Sequence, residues 1–152
     1  MLTPEQKADR ARERMMQKFR EWTLTRCKNE TARVWQRIVR LQAIEPDGLV
    51  SCVTCDWRGR YQDAHAGHYV PRRHSSTIFH PRNCHVQCAY CNDKLSGNMH
   101  VYRVFMRDRY GDEAVEELES LKQQVKQFTK DELVDLRRGY MARSKQILEM
   151  MS

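Results

Sequence analysis

Cys52-Val-Thr-Cys55, Asp63-Ala-His65-Ala-Gly-His68-Tyr69 and Asn83-Cys-His-Val-Gln-Cys88-Ala-Tyr-Cys91-Asn92 fall within one stretch, residues 52–92. Two C-x-x-C pairs bracket a histidine-rich run, and an Asn directly follows the last Cys. Zinc takes four N or S ligands in a tetrahedron, and a C-x-x-C turn presents two thiolates to one ion. Cys52, Cys55, Cys88 and Cys91 can therefore close a site for a structural zinc. The 32 residues between Cys55 and Cys88 exceed the usual zinc-ribbon gap, which implies an inserted element. Fully coordinated zinc has no open position, so any catalysis is expected in the insertion. Cys84 and Cys27 are surplus to the four and read as buried thiols.

The rest of the chain agrees with a polyanionic partner. Its 152 residues suit one compact domain with appendages. The net charge is +7 and is unevenly placed. Residues 1–45 hold 11 Lys and Arg against 6 Asp and Glu, residues 46–110 hold 9 against 5, and residues 111–152 reverse to 7 against 9. The basic part thus includes the Cys/His stretch. No apolar run approaches the roughly 20 residues of a membrane span, and the first residues lack the apolar core of a signal peptide. Neither a membrane nor a small-molecule cofactor is expected. The expected compartment is a reducing cytoplasm, where paired cysteines favour metal over disulfides.

Residues 4–44 read as helical, with Pro4 at the first turn and no Gly before Gly48. Met15, Phe19 and Trp22 form one apolar set, and Val34, Trp35, Ile38 and Leu41 a second. A break is expected between them, within residues 23–31. Pro46-Asp-Gly48 marks a turn and the start of a loop-rich module that buries little apolar surface and needs a metal staple. A helix is expected over 112–128, carrying Val115, Leu118, Leu121, Val125 and Phe128. Thr129 and Glu132 fit a capping box opening another helix, so 112–150 reads as a helical hairpin.

Within the insertion, His68 is a natural general base, because imidazole titrates near neutral pH. A hard ion such as Mg2+ or Mn2+ wants oxygen ligands, and Asn92, next to Cys91, can offer a carbonyl oxygen. If 63–70 is a strand, Asp63, His65 and Gly67 share a face. Asp63 or His65 could then reach across the side-chain gap at Gly67 to the ion. Arg72, Arg73, Arg82 and Lys94 surround this centre in sequence and suit phosphate contacts that read no sequence.

These residues resemble the HNH, or ββα-metal, nucleases. His68 matches the general base, Asn83 the residue that orients the base through its backbone, and Asn92 the last metal ligand. The frame Ala66-Gly-His68-Tyr69, Arg82-Asn83-x-His85-x-Gln87-Cys88-x-x-Cys91-Asn92, Ser96-Gly-Asn98 and Tyr102-Arg103-Val104 is similar to the NinG (Rap) family of lambdoid-type phages. The resemblance covers roughly residues 49–120. It implies a zinc-stapled ββα-metal module (47–110), which with the N-terminal basic helical arm (1–46) and the C-terminal helical hairpin (111–152) read from apolar spacing gives an α+β fold. It also implies a structure-selective endonuclease acting on branched recombination intermediates, Holliday junctions and D-loops, as a homodimer in the bacterial host cytoplasm. His85 is a further feature of that family, expected either to contact phosphate with the DNA-binding residues or to support the metal site. Gly67 departs from the usual HNH pattern, which carries Asp or His before the base; His65 stands where NinG-like sequences tend to have Asp. The alternatives are a zinc-stapled DNA-binding or annealing accessory without catalysis, and an HNH nuclease on ordinary duplex.

Overall fold

The computed structural model describes residues 1–152. Helix α1 spans Pro4–Glu21 and α2 spans Leu24–Gln42. Two strands, β1 (Val50–Ser51) and β2 (Arg58–Gly59), pair antiparallel. A 3₁₀ turn, Tyr61–Asp63, leads into β3 (His65–His68), which pairs antiparallel with β4 (Cys84–Gln87). A π-helical turn, Tyr90–Lys94, follows, then α3 (Met99–Tyr110), α4 (Asp112–Ser120), a 3₁₀ turn (Leu121–Gln123) and α5 (Lys130–Met150). The fold is thus mixed, mainly helical with two small sheets. No helix is long and apolar enough to cross a membrane.

The chain divides into two compact units: Met1–Trp35 with Gln127–Ser152, and Gln36–Lys126. In the first, α1 packs on α5. Phe19, Cys27, Leu133 and Val134 are fully buried there, and the rings of Trp35 and Tyr140 lie 5.2 Å apart. Thr3 and Thr129 each close a capping box, satisfying two backbone N–H groups that a helix start leaves free. The break between α1 and α2 comes at Trp22-Thr23, where the Thr23 hydroxyl accepts from the Arg26 N–H at 3.2 Å.

In the second unit, Tyr69, Val70, Tyr102, Met106, Val115 and Leu118 form the main core. A second cluster of Val50, Ala64 and Val86 packs with Ala43, Ile44, Trp57 and Tyr61. Cys52, Cys88 and Cys91 form a third with Trp57. The core is small and divided, as expected of a unit that needs a staple.

Two expectations are corrected. The 112–128 helix ends at Ser120, followed by a single 3₁₀ turn, and Val125 is 87% exposed. Nor is 112–150 a helical hairpin: α4 packs on α3 in the second unit, while α5 packs on α1 in the first. Val115 and Leu118 supply enough apolar surface to hold α4 on α3. Beyond them, the Gln-Lys-rich run 122–127 offers no continuing stripe.

Candidate metal centre and adjoining cleft

The four cysteines converge. The sulfurs of Cys52, Cys55, Cys88 and Cys91 all lie within 4.8 Å of one another, and Cys55 and Cys88 are 3.6 Å apart. Zn–S bonds of about 2.3 Å in a tetrahedron put neighbouring sulfurs about 3.8 Å apart, so the spacing suits the ion. Each sulfur also has a polar neighbour. Thr54 Oγ1 lies 3.3 Å from Cys52, the Trp57 and Cys91 N–H groups each point at 3.4 Å to Cys55 and Cys88, and Asn98 Nδ2 lies 3.8 Å from Cys91. Donors around thiolates of this kind orient ligands and stabilise their charge. Burial pushes the Cys55 thiol up to about 12 and raises Cys88, whereas at Cys52 burial is outweighed by hydrogen bonds involving Thr54 and backbone N–H groups, which bring it down to about 7. The cluster could hold a metal such as zinc. Thr54 and Asn98 were not legible as parts of this shell. Asn98 adopts a left-handed conformation (φ 49), which Asn tolerates better than most residues, and this turns its amide toward the cluster.

Cys84 and Cys27 are buried, and neither belongs to the cluster. Burial pushes Cys84 up to about 12, so it stays a neutral thiol.

The last two cysteines set the position of Asn92. Its N–H donates to the Cys88 carbonyl at 3.0 Å, at the start of the π-helical turn closed by Leu95 N–H to Tyr90 O. Such turns recur at functional sites. From there Asn92 Nδ2 reaches His65 Nδ1 at 3.0 Å, while its Oδ1 meets no protein donor. Asp63 is not on the strand. Its carboxylate is held by Arg60 at 2.9 and 3.3 Å, an i,i+3 pair that accompanies the 3₁₀ turn. The face shared by three residues shrinks to His65 and Gly67, and of the two candidate ligands the fold brings His65 to Asn92.

His68 lies at the end of β3. Its Nε2 is 3.0 Å from the Ile78 carbonyl. A carbonyl only accepts, so Nε2 carries the proton and Nδ1 keeps a lone pair. The Cys84 thiol, 3.9 Å from Nδ1, is at most a weak donor to it. Burial, with the Arg72 charge nearby, pushes the ring down to about 4, against the Ile78 contact that favours the charged form. At neutral pH His68 is therefore in its base form.

Asn83 supports this residue through the loop between β3 and β4. Fully buried, its Oδ1 accepts from Val70 N–H at 2.7 Å, and its Nδ2 donates to the Val70 and Thr77 carbonyls, each at 3.0 Å. Thr77 precedes Ile78, so Asn83 fixes the segment whose carbonyl holds His68.

Two adjoining clefts of about 300 and 390 Å3 share Gln36, Ala66, Arg72 and Asn92. His65 and Arg40 line the first; His68 lines the second. Arg40 and Gln36 are additions that the sequence did not single out for this site. Arg40 is half-buried, with Nε on the Gln36 carbonyl and Nη1 on the Ala64 carbonyl, both at 3.3 Å, and no carboxylate pairs with it. Burial lowers its pKa. A half-buried guanidinium bonded only to carbonyls suits a phosphate. Helical spacing does not separate Arg40 from the other basic residues of α1 and α2, and only the tertiary fold distinguishes it.

The other expected binding residues divide. Arg72 lines both clefts, and Arg73 beside it is exposed. Arg82 is exposed and lies over the Tyr110 ring at 5.4 Å; Lys94 is exposed; neither lines the clefts.

His85 is corrected. Its Nδ1 meets Tyr102 Oη at 2.9 Å and its Nε2 meets Tyr110 Oη at 2.7 Å. The Tyr102 hydroxyl donates to the Gly67 carbonyl at 2.8 Å, so His85 Nδ1 donates to Tyr102 and Nε2 accepts from Tyr110. Burial pushes this ring down to about 4. With both nitrogens taken, His85 has none for DNA; it braces β3 beside His68. We expect His85→Ala to lower the melting temperature by several degrees while DNA affinity stays within twofold of wild type. A large affinity loss in a still-folded protein would return His85 to the binding surface.

The fold and site define a protein with a four-cysteine cluster that could hold a metal, and a basic cleft that holds a neutral histidine. The family model described as "Bacteriophage Lambda NinG protein" matches residues 3–149. The chain belongs to the NinG family. Protein ninG of Escherichia phage lambda and that of Escherichia phage 933W are each 39% identical to it over 88 residues, 56% of this chain and 42% of theirs. The chain thus matches less than half the length of these curated relatives. No solved structure matches it.

Proposed function

We propose that the chain is a metal-dependent endonuclease of the HNH, ββα-metal type that cleaves branched DNA. The observation that carries this reading is His68: a neutral imidazole with Nε2 fixed and a lone pair on Nδ1, in a cleft shared with Asn92 and Arg72. The order β3, loop with Asn83, β4, then the helical turn with Asn92 corresponds to that architecture. The four cysteines bind one structural zinc, which sets the turn that carries Asn92.

In this reading His68 takes a proton from the attacking water through Nδ1. Arg40 and Arg72 hold the phosphate. Asn92 and His65 would hold a Mg2+ or Mn2+ ion, in place of the present hydrogen bond between them; such an ion would supply charge neutralisation at the phosphate and the leaving 3′ oxygen. Nothing near the clefts resembles a base-reading helix, which suits recognition of shape. Paired cuts across a junction are simplest with two centres, which the resemblance assigns to a homodimer working in the host cytoplasm.

Comparing a four-way junction with a linear duplex of the same sequence at matched salt tests the substrate. Preferential cutting of the junction supports branched DNA; equal rates favour an enzyme of ordinary duplex. Two predictions follow from the site. Arg40→Gln is expected to slow junction cleavage tenfold or more and to reduce the slope of log affinity against log salt by about 1; an unchanged slope removes Arg40 from the phosphate contacts. Because burial depresses His68, it stays unprotonated as pH falls below the ordinary histidine range. The acid limb of kcat/KM is therefore expected below pH 6, rather than near the ~6.5 of an exposed imidazole. A limb at or above that value contradicts His68 as the base.

A further inference from the structure

Gln87 on β4 is fully buried, yet its Oε1 has no hydrogen-bond partner. The amide orientation is unambiguous. Nε2 donates to the Gly97 carbonyl at 2.7 Å, which can only accept, and to Thr54 Oγ1 at 3.0 Å. An orphaned buried carbonyl oxygen is costly unless something occupies it. Its direction is informative. A Cβ built on Gly67 would lie 1.9 Å from Gln87 Oε1 and 3.1 Å from Asn92 Oδ1. The missing side chain of Gly67 leaves the space into which Gln87 points. Two carboxamide oxygens, both without a protein donor, thus lie within 3.1 Å of one point. Oxygen donors of this type, turned toward one space, are what Mg2+ and Mn2+ prefer.

We propose that Gln87 is a ligand, through Oε1, of the divalent ion held by Asn92 and His65. This rests on reading the cleft as a divalent-ion site. Gln87 thereby supplies an oxygen where residue 67 offers none. It also ties the two metal sites together: Gln87 Nε2 donates to Thr54, whose hydroxyl lies 3.3 Å from Cys52 Sγ. The Cys52-Val-Thr54-Cys55 turn thus aims Gln87 as well as binding zinc.

The test is Mn2+ binding to the zinc-loaded chain, read from the electron paramagnetic resonance of free Mn2+, with zinc content and melting temperature as controls. Gln87→Leu is expected to bind Mn2+ at least tenfold more weakly with one zinc retained per chain. Gln87→Glu keeps an oxygen in place and is expected to bind at least as tightly as wild type. Were the amide only structural, Glu would be at least as harmful as Leu, since it loses both Nε2 bonds and faces the Gly97 carbonyl. Equal weakening in both variants, or none in Leu, overturns the proposal. In the wild-type chain, whose folding is not at issue, Mg2+ should shift the 13C resonance of the Gln87 carboxamide carbon to a saturating limit. An unmoved carbon while the ion binds overturns the ligand assignment alone. A wild-type chain that binds no ion overturns that assignment together with the divalent-ion reading.

Discussion

His68→Ala is expected to cut a four-way junction between a hundredfold and ten-thousandfold more slowly than wild type, the range that a positioned general base supplies. Junction affinity should stay within a few-fold, because the proposed phosphate contacts come from Arg40 and Arg72. The expectation follows from the geometry: Nε2 is anchored on the Ile78 carbonyl, and burial keeps the ring neutral. Alanine also removes the anchor, so His68→Gln is the stricter variant; its amide can still donate to Ile78 but cannot take a proton at neutral pH. Equal, deep losses in both assign the effect to the base. A glutamine variant that cuts at the wild-type rate would show that His68 only packs.

Cys88→Ser is the second large effect. It removes one of four sulfurs and the acceptor of the Cys91 N–H. Structural zinc contributes on the order of 10 kcal/mol of apparent binding energy in small zinc-folded peptides, energy that is coupled to folding. The second unit has a divided core, and even ~3 kcal/mol lost there should lower its melting temperature by roughly 10 °C or more. Zinc content should fall well below one per chain, with cleavage lost because Asn92 rides on the Cys88 carbonyl. Cys84→Ala is the matched control: it is equally buried and should keep one zinc. A Cys88→Ser chain with full zinc and an unshifted melting temperature would mean that the cluster is not the staple.

The cysteine cluster was fully legible in the sequence, because ligand spacing in two C-x-x-C turns is a local property. So was the helical character of residues 4–44 and 130–150, and the capping box at Thr129. His65 and Asp63 could not be separated by periodicity, since the Arg60–Asp63 pair turns the chain before the strand begins. Arg40 was hidden because helical spacing says which face a residue shares, not what packs over it. His85 was open to a phosphate contact or a place beside the metal until Tyr102 and Tyr110, 17 and 25 residues further on, took both ring nitrogens. Gln87 was visible only as part of a motif; its role depends on the close approach that Gly67 allows.

The central claim is that the zinc-stapled turn and the β3 strand assemble a divalent-ion-dependent nuclease centre. Its most direct test incubates the zinc-loaded wild-type chain with a synthetic four-way junction, with and without Mg2+ or Mn2+. The account predicts binding in every case and strand cleavage only with the added ion. Binding without cleavage in either ion would contradict it and leave a zinc-stapled DNA-binding accessory.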